Sequence, residues 1–165
     1  MLPESQLFHK LCGQSEGCGY TVCKQGLPLD LLLVIESQMG RSLNSISRQF
    51  LLECQPSSEV DPGYVGWLGW TEFWSDNLDA VPLRHSLLAG FVIFASAGDG
   101  APYMVNAHTN EIHLISNGTI QTAGLDPKYD GNYLPFTKAG MDLCAEEIWP
   151  SSLAFMQWLA LQVEA

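Results

Sequence analysis

The element order of this 165-residue chain predicts an α+β fold. Two helical stretches come first, several strands joined by tight turns follow, and a helical stretch without breakers closes the chain. The strand–helix–strand alternation of a parallel sheet is missing. Residues 91–116, FVIFASAGDGAPYMVNAHTNEIHLIS, alternate apolar and polar positions and are interrupted twice by turn residues.

Taken in order, residues 4–12 read as a short helix with Glu4 in the first turn and Leu7, Phe8 and Leu11 on one face. A glycine- and cysteine-rich connection runs from Gly13 to Gly26. Leu27-Pro28 opens a second helix, because proline at a helix start removes an N–H that has no partner there anyway. Leu29–Ile35 supply its buried side, and Gly40 is placed to end it in the left-handed region. Ser47–Cys54 is predicted as a strand and Pro56–Pro62 as polar turns. In Tyr64–Trp74, YVGWLGWTEFW, Trp67, Trp70 and Trp74 recur at helical spacing while Val65 and Trp67 suit a strand, so both readings stand.

Arg84–Leu88 leads into strands at Phe91–Ser96, Tyr103–Asn106 and Glu111–Ser116, and Asn117-Gly118 turns the chain toward a short strand at Thr119–Thr122. Gly98-Asp99-Gly100 is read as the turn of the first hairpin, where positive φ is required. Leu125–Ile148 holds Asp-Pro, Asp-Gly-Asn and Leu-Pro breakers, with a short helix expected near Met141–Glu147. After Pro150, Ser151 or Ser152 caps a final helix over Leu153–Val163. Leu153, Met156, Ala160 and Val163 share one face of it, with Phe155 and Leu159 beside them. No repeat or interdomain linker interrupts the pattern, which predicts one domain over residues 1–165.

Hydrophobic content of 47% with 15% charged residues belongs to a globular chain. The net charge of −11 repels nucleic acid and anionic membrane and argues against either as a partner. Between Gln49 and Pro127 nine acidic residues face a single basic one, Arg84. That asymmetry fits simple solubility, or an acidic face that steers toward a basic partner. Five cysteines, no visible signal peptide and no strongly apolar run longer than Leu31–Ile35 place the chain in a reducing cytoplasm with free thiols.

Catalytic and metal motifs fail on context. Gly13-Gln14-Ser15-Glu16-Gly17 matches a serine nucleophile elbow, which needs a strand before it and a parallel sheet beneath it. His9, Cys12, Cys18 and Cys23 lack the paired spacing of zinc knuckles. A phosphate loop at Gly98-Asp99-Gly100 would need a following helix, and Asp126–Thr137 lacks the closing glutamate of a calcium loop. The Trp67–Trp74 stretch carries Glu72, Asp76 and Asp79 rather than the cations of a base-stacking platform. His113 alternates with Ile112 and Leu114, so it is expected to point outward as a contact residue. No cofactor and no metal are expected.

The segment 91–116 resembles the central hairpin of the SUKH superfamily, the Smi/Knr-like domains. Its parts are the strand Phe91–Ala95, the turn Gly98-Asp99-Gly100, the strand Tyr103–Asn106, the turn His108–Asn110 and the strand Glu111–Leu114. Leu27-Pro28 before an apolar helix is similar to the family's entry to its second helix, and Pro150–Leu159 is similar to its closing helix. Asn106 stands where the family often has Asp, and Asn110 where it often has Gly. The resemblance implies a twisted, largely antiparallel sheet with N-terminal and C-terminal helices packed on it, and no catalysis. It implies a protein-binding role: many bacterial members are immunity proteins that neutralise polymorphic toxins, often nucleases, and fungal relatives are scaffolds in cell-wall synthesis and signalling.

The expectation is therefore a cytoplasmic, non-catalytic module that binds a protein, such as a toxin domain, and neither nucleic acid nor membrane. The alternatives are a regulatory scaffold for a cellular protein and a hydrolase using Ser15. The expected contact residues are Glu72, Asp76, Asp79, Asp99, Tyr103, His108, Glu111 and His113.

Overall fold

A computed structural model of the chain describes residues 1–16, 26–61, 65–80, 83–116 and 137–164. The helices are α1 (Pro3–Glu16), α2 (Leu29–Met39), α3 (Ser45–Cys54), α4 (Trp70–Trp74), α5 (Lys138–Cys144) and α6 (Ser152–Glu164). A π turn (Ser75–Asp79) and a 3-10 helix (Leu83–Ala89) lie between α4 and the first long strand. The strands β1 (Gly66–Trp67), β2 (Phe91–Ser96), β3 (Pro102–Asn106), β4 (Ile112–Ile115) and β5 (Ala145–Trp149) form one antiparallel sheet in sequence order. The fold is α+β, as expected, with the terminal helices packed on the sheet.

Residues opposed across strands share a face. Trp67, Tyr103 and Trp149 lie on the face covered by α1, α3 and α6. Phe8 of α1 meets Trp67 at 5.2 Å between ring centroids, and Phe50 of α3 meets Phe94 at 5.3 Å. Phe155 of α6 touches Trp67, Phe94, Tyr103 and Trp149 at 5.1–6.0 Å. Tilted and edge-on rings of this kind add to the burial of their large apolar areas. The opposite face, holding Phe91, Ile93, Met104 and His113, is covered by the π turn, the 3-10 helix and α5.

Several expectations hold at the level of single residues. Gly40 ends α2 at φ 74°, its N–H donating to Glu36 and Ser37 carbonyls. Gly100 takes φ 86° in the β2–β3 turn, and Asn110 takes φ 67° in the β3–β4 turn. Tyr64–Trp74 uses both of its readings, strand β1 and then helix α4. Ser151 Oγ accepts the Ala154 N–H at 3.1 Å at the start of α6.

Others are corrected. Ser47–Cys54 is helical, not a strand: Ser47, Phe50, Leu51 and Cys54 are its buried positions, a helical three-and-four spacing. Asn44 caps it, with Oδ1 accepting from the N–H groups of Ile46 and Ser47. The helix expected near Met141–Glu147 ends at Cys144, and β5 follows without having been foreseen. In α6 the buried stripe is Ser152, Phe155, Met156 and Leu159, so Leu153 and Ala160 flank it. The strand expected at Thr119–Thr122 lies outside the described residues, as do Cys18 and Cys23.

Candidate protein-interaction surface

The site begins with the outer edge of β2. Strand β1 spans only two residues and pairs with Ala95 and Ser96, so the preceding backbone groups of β2 need other partners. Side chains supply them. Gln55 Nε2 donates to the carbonyls of Leu68 and Phe94 at 2.6 and 3.0 Å. Asn77 Oδ1 accepts from Ile93 N at 2.9 Å, and its Nδ2 donates to Ile93 O at 2.8 Å and to Phe73 O at 2.9 Å. Asn77 is fully buried at the centre of the π turn, so it pins that turn to the sheet.

With Asn77 turned inward, its neighbours are presented outward. Glu72 and Asp79 are exposed, Asp76 is half-buried, and Trp74 on the same helical segment is 42% exposed. Burial first, and the Glu72 charge second, push the Asp76 carboxyl above the usual carboxylate range. None of Glu72, Asp76 and Asp79 has an ion-pair partner among the described residues. Glu72, Asp76 and Asp79, at i, i+4 and i+7 of one helical segment, therefore form an acidic edge whose charge nothing described there neutralises.

The other expected contact residues lie apart from this edge. Asp99 is exposed on the β2–β3 turn, where its Oδ1 accepts the Ala101 N–H at 3.0 Å. Tyr103 is buried, contrary to its expected exposure, because it packs against Phe94, Trp149 and Phe155. Burial, then the charges of Glu147, Asp99 and Glu146, push its hydroxyl up to about 12. That makes Glu146 and Glu147 of β5 part of a second acidic group, missed because they sit in a stretch without readable alternation.

His113 is also buried rather than outward. The alternation with Ile112 and Leu114 holds, but helices cover both faces of the sheet. Its ring packs edge-on to Phe91 at 4.8 Å, and its Nε2 lies 2.7 Å from Asp142 Oδ1 on α5. Lys138 Nζ lies 2.7 Å from Asp142 Oδ2 and 3.8 Å from Glu111 Oε2. Burial opposes ionisation of Asp142, but hydrogen bonds from Lys138 and His113 outweigh it and hold the carboxyl below its usual range. Glu111 and His113 therefore serve packing and ion pairing around α5, and His108 is exposed on the neighbouring turn.

The cysteines of the described residues are Cys12, Cys54 and Cys144, all buried and none of them in a disulfide. Burial pushes the thiols of Cys54 and Cys144 up, which lowers the thiolate fraction that nucleophilic chemistry needs. No group of three metal-ligating side chains converges among the described residues, and none of their helices is long and apolar enough to cross a membrane. No family model matches the chain, and neither a curated protein nor a solved structure matches it.

Proposed function

We propose that this chain is a non-catalytic binding module for a cationic protein, in the manner of an immunity protein that occupies the positive groove of a toxin such as a nuclease. The observation that carries this reading is the acidic edge formed by Glu72, Asp76 and Asp79. An acidic surface raises the encounter rate with a basic partner. Asp76 strengthens the reading. A carboxylate held near a like charge and half out of water costs stability unless a cation meets it, and a partner's Lys or Arg would do so. The hairpin and closing-helix resemblance to Smi/Knr-like domains points to the same class.

Affinity capture with the tagged chain, followed by mass spectrometry, tests the proposal. The expected partner is basic, elutes with rising salt, and inhibits growth when expressed without this chain. A captured partner that is acidic, or that is held unchanged in 1 M salt, would count against it.

A further inference from the structure

The chain has only seven Lys and Arg residues, yet two of them, Arg41 and Lys138, line a single cleft together with His108. The cleft measures about 340 Å³, at the lower end of the range of small-molecule sites. It lies between the 3-10 helix, the β3–β4 turn and the start of α5, far in character from the acidic edge. Leu88, 67% exposed, and Ala89 give it an apolar wall.

The three basic groups differ in what they have left to offer. Lys138 is engaged by the carboxylates of Asp142 and Glu111, so its charge is largely balanced. The Arg41 guanidinium makes no hydrogen bond or ion pair among the described residues, its backbone N–H alone donating to Glu36 O, and the His108 ring makes none either. The Arg41 guanidinium lies against the backbone at Gly90. A Cβ built there would sit 2.4 Å from Arg41 Nη2, and Gly90 has φ 83°. Glycine at this position therefore permits both the turn into β2 and the seating of the guanidinium.

We infer that this cleft binds a small organic monocarboxylate, with the carboxylate on the fork of Arg41 and the apolar body on Leu88 and Ala89. Charge counting selects the monoanion. One unbalanced guanidinium matches one carboxylate in a bidentate pair. A phosphate dianion would add a second negative charge beside Glu111 and Asp142, where no further cation among the described residues is placed to meet it. His108 at the rim supplies a ring N–H toward the same group.

The test is a titration of the 15N-labelled full chain with benzoate, with benzamide as the neutral isostere and phenyl phosphate as the dianion. Benzoate is expected to shift the amides of Arg41, Gly90 and His108 saturably. Benzamide should leave them in place, and phenyl phosphate should bind more weakly than benzoate. Arg41→Gln should weaken benzoate about tenfold or more, the effect of losing a charge-assisted hydrogen bond. Leu88→Asp, which puts a like charge in the cleft, should abolish it. Amide dispersion outside the cleft verifies that both variants are folded. Absence of benzoate shifts at these three amides, equal binding of benzamide, tighter binding of phenyl phosphate, or an undiminished Arg41→Gln response would each overturn the inference.

Discussion

Asn110 shows what one residue can carry. It sits at φ 67° while both ends of its buried side chain are in use. Oδ1 accepts from Ser152 N at 3.0 Å and lies 2.9 Å from Ser152 Oγ, which also reaches Glu4 Oε1 at 2.8 Å. Nδ2 donates to Ser47 Oγ at 3.0 Å. One turn residue thus joins α1, α3, the β3–β4 turn and α6. Asn110→Ala should destabilise by about 2–4 kcal/mol, since it leaves buried partners unmatched and strains a left-handed backbone. Asn110→Gly should recover about 1 kcal/mol of that loss by relieving the strain alone. Urea melts of the three proteins separate the two contributions.

Asp76 makes a different prediction at the same scale. Its carboxyl is raised in the folded state, so the native protein binds more protons than the unfolded chain between the ordinary and the raised value. Stability contributed at this site is therefore present at acid pH and is lost as pH rises through that window. Asp76→Asn should melt higher than the parent above the window and converge with it below. A variant no more stable at neutral pH would show that no carboxylate penalty exists there.

At the scale of elements, the π turn and its anchor matter most. Asn77→Ala removes three hydrogen bonds and orphans both backbone groups of Ile93. The expected loss is about 2–3 kcal/mol, with faster amide exchange at Ile93 than at Met104 or Val105. Legibility in the sequence followed local strength of pattern. The hairpin of β2 and β3 was readable because Phe91–Ser96 alternates up to a glycine turn, and α2 was readable because Pro28 and Gly40 bracket it. Helix α3 was misread because Ser, Arg and Gln dilute its apolar stripe, although Asn44 and the 47/50/51/54 spacing were present. Strand β5 was invisible because an edge strand with three exposed residues has no apolar alternation to show.

At the scale of the whole molecule, the sequence revealed an excess of acid but not where it would gather. Glu72, Asp76 and Asp79 converge because Asn77 between them turns inward, a choice made by the unpaired edge of β2. Tyr103 and His113 left the surface because helices cover both faces of the sheet, and that second layer depends on contacts distant in the chain. The cleft at Arg41 likewise joins residues 41, 88 and 138, which no local window brings together. The acidic edge is the feature on which the functional reading stands. Its most direct test is the affinity of the captured partner for the Glu72→Lys, Asp76→Lys, Asp79→Lys triple variant, measured against the parent at 50 and 300 mM salt. Binding at least a hundredfold weaker at low salt and a flattened salt dependence are expected. Parent-like affinity in a folded triple variant would contradict that reading.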